Sequence, residues 1–175
     1  MFGDADRVVD RNGKLDGCWM HNTRMSYSSP KAGLMLDFFR QVAERYKAQH
    51  NAGHILCLSP LVTREAEIAY AHDIMEDYNP YFLAEFRGWI EQRYERNLAA
   101  LNRAWDSALT SFADVAPPPS LGCRAGFDWY LFRDLKARQF IDSCGEALRT
   151  IPGVTTPYRL LLDYGNVGDP MCVWR

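Results

Sequence analysis

The sequence predicts an α/β domain in which parallel strands are joined by crossover helices. Short, continuous apolar runs at 18–20, 55–61 and 158–162 have the length and residue types of buried strands. Longer segments at 31–49, 79–105 and 126–150 instead repeat apolar residues every three to four positions, the spacing of one helix face. The two kinds of segment alternate along the chain, and alternation favours parallel strands with right-handed crossovers.

Bulk properties bound the reading further. A chain of 175 residues is long enough for one domain with a sizeable core, here taken as residues 1–175. Apolar residues make up 47 % and aromatics 13 %, which excludes a disordered chain. The net charge of −2 is spread without long runs of one sign, so neither nucleic acid nor an acidic membrane surface is an expected partner. No apolar run approaches the ~20 residues that span a bilayer. The first residues lack the apolar core of a secretory signal, so a cytoplasmic location is the default expectation. Cys18, Cys57, Cys123, Cys144 and Cys172 are odd in number and widely spread, and are expected to be reduced and mostly buried.

The elements follow in order. Arg7–Asp10 is a short strand candidate, followed by turn chemistry at Asp10-Arg11-Asn12-Gly13-Lys14. Cys18-Trp19-Met20 is a strand candidate ending at His21-Asn22. Ser29 and Pro30 suit the start of a helix over Lys31–Gln49, with Leu34, Met35, Phe38, Phe39, Val42 and Tyr46 inward. Gly53 ends it, and Ile55–Leu61 forms a buried strand that Pro60 terminates. Asn79-Pro80 caps the next helix, whose apolar face runs through Phe82, Phe86, Trp89, Ile90 and Tyr94. That face continues through Leu98, Leu101 and Trp105 after a bend near Asn97. The prolines of 116–122 make a stiff connector. The helix at Gly126–Thr150 turns Phe127, Leu131, Leu135, Ile141, Cys144 and Leu148 inward, and Tyr158–Leu162 is the last strand.

Three strand ends carry polar clusters: His21-Asn22-Thr23-Arg24, Thr63-Arg64-Glu65-Ala66-Glu67, and Asp163 to Asp169. In parallel α/β folds functional groups collect at such ends, so the three are expected to share one active face. His54 and His72 have no second ligand at metal spacing, and no phosphate-binding loop or nucleophile elbow occurs, so no metal or cofactor is expected. Arg124, Arg133, Lys136 and Arg138 read as a solvated helix face, and Trp89, Trp105 and Trp129 as packing residues.

One stretch resembles a known family. Tyr78-Asn79-Pro80, Leu83-Ala84-Glu85-Phe86-Arg87-Gly88-Trp89-Ile90, Arg93-Tyr94 and Leu98-Ala99-Ala100-Leu101-Asn102-Arg103-Ala104-Trp105 are similar to the segment after the fourth strand of glycoside hydrolase family 42 β-galactosidases. Ser111–Val115 and Asp128-Trp129 with Phe132 continue the similarity. The resemblance implies a (β/α)8 TIM-barrel-like fold, of which the chain covers about three βα units, with long helices after the acid/base strand. It implies retaining hydrolysis of β-linked sugars. Glu67 then takes the acid/base role, with Glu65 as the alternative, and neither follows the family's asparagine. Carbohydrate is the implied partner, bound by His21, Asn22, Arg24, Tyr70, Asp163, Asn166 and Asp169, with Trp19 and Tyr164 as further stacking candidates.

A whole barrel takes roughly 250 residues, and retention needs two carboxyls about 5–5.5 Å apart across the bond. Glu65 and Glu67 on one strand would point to the same side of a sugar. The nucleophile is therefore expected outside this chain, and the isolated chain is expected to be inactive and to self-associate, as a homo-oligomer or with a complementing chain. The competing expectation is a non-catalytic truncated barrel module that binds carbohydrate or a protein partner.

Overall fold

A computed structural model describes residues 3–15, 25–59 and 77–160. Its elements are helices α1 (Ala32–Arg45) and α2 (Lys47–Asn51), strand β1 (Cys57–Leu58), helices α3 (Pro80–Arg93), α4 (Leu98–Trp105) and α5 (Arg124–Arg149), and strand β2 (Arg159–Leu160). Single 3₁₀ turns lie at Asp4–Asp6 and Phe112–Asp114. β1 and β2 pair in parallel, Cys57 opposite Arg159 and Leu58 opposite Leu160, although about a hundred residues separate them in sequence. This is a helix-rich α/β fold with a small parallel sheet, the arrangement of a partial barrel.

The helices form where the sequence places caps. Asn79 accepts a hydrogen bond from the Tyr81 amide at 3.0 Å with Pro80 in the first turn, and Asn97 accepts one from Ala100 at 3.0 Å. Between α3 and α4 the chain turns through Glu95 and Arg96, both left-handed at φ 52° and 56°. The bend expected near Asn97 is thus a genuine break. The helix expected over 31–49 is also two helices, parted at Tyr46. Its first turn begins at Ala32, and Ser29 serves a turn before it instead, its hydroxyl accepting from the Lys31 amide at 3.1 Å. The long helix starts at Arg124 with Cys123 as its cap, two residues before the expected Gly126.

The core lies along α5, which packs against α1, α3 and α4. Phe82 and Phe86 of α3 meet Trp129 edge-to-face at 5.5 and 4.7 Å, and Phe82 meets Phe132 at 4.9 Å. Trp129 is fully buried, as the packing assignment required. Two faces differ from expectation. On α1 the inward stripe is Met35, Leu36, Phe39 and Ala43, while Leu34, Phe38 and Tyr46 are exposed. Leu34 and Phe38 each sit about 100° around the helix from Met35 and Phe39, on the side away from Leu36, and so fall outside the stripe that meets the core. On α5 Phe127 is exposed, because Gly126, Trp129, Phe132 and Arg133 occupy the buried side.

The N-terminal segment is not a strand of the parallel sheet. Arg7 bridges Met25 and Val9 bridges Leu15, both antiparallel. The turn between is the one expected: Asp10 Oδ1 accepts from the amides of Asn12 at 2.8 Å and Lys14 at 3.0 Å, and Gly13 takes φ +72°. Among the described cysteines, Cys144 is buried, Cys57 half-buried and Cys123 exposed, so the expected burial fails for Cys123. Its thiol is spent on capping α5, which holds it at the surface. Among the described residues no helix is long and apolar enough to cross a membrane.

Candidate functional site

Every residue assigned to the site from the sequence lies outside the described residues: Glu65, Glu67 and Tyr70 in 60–76, His21, Asn22 and Arg24 in 16–24, Asp163, Asn166 and Asp169 in 161–175. Trp19, Tyr164 and the strand candidate at 18–20 lie there too. The structure instead describes what each of those segments starts from or returns to.

β1 leads into the segment with the two glutamates, and β2 leads into the segment with Asp163. Because the strands are parallel, both run toward the same end of the sheet. The third segment, 16–24, is pinned at both ends to one stretch of backbone, through the bridges of Leu15 to Val9 and of Met25 to Arg7. That same stretch receives the end of 60–76. The Tyr78 amide donates to the Val9 carbonyl at 2.9 Å. Asn79 Nδ2 donates to the carbonyls of Ala5 and Arg7, each at 2.9 Å. Residues 5–9 thus anchor both ends of one candidate segment and the exit of another.

Asp6 fixes this anchor to α1. Its carboxylate accepts from Lys31 Nζ at 2.6 Å, Ser29 Oγ at 2.8 Å and the Gly3 amide at 2.9 Å. The lysine first, then the other donors, lower its pKa to about 2.

The opposite end of the strands is held by α2. His50 is buried, and its ring nitrogens lie 2.8 Å from the Ile55 carbonyl before β1 and 2.7 Å from the Thr156 carbonyl before β2. Lys47 donates to the Pro152 carbonyl at 2.7 Å, and Asn51 exchanges bonds with Gly153 and Thr155. Sequence reading missed this cluster. The available signal was a histidine at the end of a helix just before a strand.

A second buried polar centre joins the helices. Asp128 on α5 is fully buried. Its Oδ2 accepts from Tyr94 at 2.6 Å and from the Trp105 indole at 2.9 Å; its Oδ1 accepts from Arg93 Nε at 3.0 Å and lies 3.7 Å from Arg124 Nε. Burial, then the bond to Asp128, raise the Tyr94 pKa, so the phenol stays a donor. Trp105 therefore has a polar duty besides packing. Arg133 is buried on α5 rather than lying on a solvated face, while Arg124, Lys136 and Arg138 pair with Asp128, Glu85 and Asp134.

Among the described residues no cluster of His, Cys, Asp or Glu could hold a metal ion. Burial pushes the Cys144 thiol up to about 12, which leaves it inert as a nucleophile.

Comparison with known proteins places this frame. Residues 13–162 match the sequence profile of a glycoside hydrolase family, number 42, described as beta-galactosidase. Among solved structures, the chain is similar to the catalytic domain of beta-amylase from Paenibacillus polymyxa, a TIM barrel. The TM-score is 0.67 at 17 % identity, over 90 % of this chain and 41 % of that one. The chain thus spans less than half of that domain, and the likeness concerns the fold. No curated protein sequence matches.

Proposed function

The chain belongs to glycoside hydrolase family 42, the β-galactosidases, and from that membership we propose that it is the part of a glycosidase barrel carrying the acid/base carboxylate. The reaction is hydrolysis of an O-glycosidic bond in a β-linked sugar, β-galactoside-like, with retention of configuration. Glu67 donates the proton to the leaving oxygen and then takes one from water; Glu65 is the alternative. The nucleophile comes from outside these 175 residues. The observation that supports this reading best is the in-register parallel pairing of β1 and β2. Both strands run toward one end of the sheet, and in the sequence Glu65 and Glu67 follow β1 as Asp163, Asn166 and Asp169 follow β2. The anchoring of residues 15, 25 and 78 on residues 7–9 supports bringing His21, Asn22, Arg24 and Tyr70 to the same sugar.

The test is hydrolysis of nitrophenyl β-galactoside by the longest product of this reading frame. Glu67→Gln should lower kcat by about 10²–10⁴-fold, the usual worth of a general acid. Activity that survives both Glu67→Gln and Glu65→Gln would refute the assignment. A non-catalytic module that binds carbohydrate or a protein partner is the second reading, favoured by the two-residue spacing of Glu65 and Glu67, which on a strand would turn both to the same side of a sugar. It predicts galactoside binding with no turnover even in that longer product.

A further inference from the structure

Among the described residues the His50 ring faces two hydrogen-bond acceptors and no donor. Nδ1 lies 2.8 Å from the Ile55 carbonyl and Nε2 lies 2.7 Å from the Thr156 carbonyl. A neutral imidazole has one N–H, so one of these contacts would set a lone pair against a carbonyl oxygen; the imidazolium donates at both. We propose that His50 is a charge-operated clamp, whose protonated ring ties the entrance of β1 to the entrance of β2 and whose neutral ring lets one of them go.

The surroundings agree. The Tyr158 ring stacks on the imidazole at 3.9 Å and 18°, and its hydroxyl donates to the Ala43 carbonyl on α1 at 2.6 Å. Burial raises the Tyr158 pKa, so the phenol stays neutral while the histidine titrates. Among the described residues, the other charged and titratable groups on or beside these elements are Tyr46 before α2, Lys47 on α2, His54 after it, Cys57 on β1 and Arg159 on β2. Lys47 spends its charge on the Pro152 carbonyl at 2.7 Å, and His54 and Arg159 are exposed. None of the ion pairs among the described residues involves His50, so the two carbonyl oxygens are the partners a protonated ring would have.

Among the described residues the two strands pair over two residues each, so the register there depends on how their entrances are held. Opening one side of the clamp loosens the pair from below. The sign is fixed by the chemistry: the clamp is complete at acidic pH and half-open once the ring has lost its proton. Unperturbed histidines change charge between about pH 5 and 8, and the measurements span that range. The device does not depend on which glutamate, if either, is the acid/base.

Two measurements on the whole chain test it. Nitrogen-15 NMR of the histidine rings should show both His50 nitrogens protonated at the acidic end of that range. Amide exchange in residues 55–59 and 156–160, corrected for intrinsic rates, should quicken about tenfold as the ring titrates, the equivalent of one net hydrogen bond. His50→Gln should exchange at the faster rate throughout, with the pH step gone, while residues 137–149 of α5 serve as the internal control. A ring protonated on a single nitrogen across the whole range would overturn the proposal. So would wild-type exchange with no step as the ring titrates, a result that needs no variant to fold.

Discussion

Removing the Asp128 carboxylate strips Tyr94, Trp105 and Arg93 of the acceptor they share, and Arg124 of its ion-pair partner. Breaking one side of a buried ion pair costs about 3–5 kcal/mol, and Asp128→Ala should lose about that much in urea unfolding. Asp6 works through pH. Its folded pKa, about 2, lies below the usual 3.8, so its contribution is whole above the usual value and is lost as pH falls toward 2. The urea midpoint should drop over that window in the wild type and drop less in Asp6→Asn. At Gly126 an added Cβ would sit 2.5 Å from the backbone of Leu121. Gly126→Ala must push the proline-rich connector off the first turn of α5, costing about 1–3 kcal/mol in the same assay. Neither Asp128 nor His50 announced these duties in the sequence. A buried polar residue is recognisable only with its partners, and those of His50 and Asp128 reach as far as Thr156 and Arg93.

Elements with local signals were legible. Asn79-Pro80 and Asn97 start α3 and α4 because their side chains satisfy amides within the next turn. The face of α1 was not legible, since Leu34/Phe38 and Met35/Phe39 are equally apolar and only α5 decides between them. The cost of the α3–α4 turn follows from its backbone. Arg96 is exposed and left-handed, and its contact with Glu91 is 3.9 Å. Left-handed conformation costs a residue with a Cβ about 1–2 kcal/mol, more than the entropy glycine forfeits. Arg96→Gly should therefore stabilise the chain by about 0.5–1 kcal/mol in thermal unfolding.

For the whole molecule, alternation of strand and helix patterns was enough to predict parallel pairing, and β1 with β2 shows it. The family was legible as a likeness that residues 13–162 match, while the candidate site is a reading of residue chemistry that lies outside the described residues. The geometry of such a site is not legible in sequence, because the residues proposed to surround a sugar come from three separate segments. The exposed Leu34 and Phe38 lie one turn apart on α1, and Leu56 is 74 % exposed. Apolar surface of this kind favours association. We expect light scattering to show self-association of the 175-residue chain at micromolar concentration, and Phe38→Glu to reduce it.

α2 grips residues 152–156 ahead of β2 through main-chain atoms: the carbonyls of Pro152, Gly153 and Thr156 and the amide of Thr155. A grip on the main chain is blind to the side chains it passes. Thr155 and Thr156 should accept nearly any replacement in a saturation library, whereas Lys47, His50 and Asn51 should not. The information that docks this loop is written in the helix, and the loop itself is left free to drift.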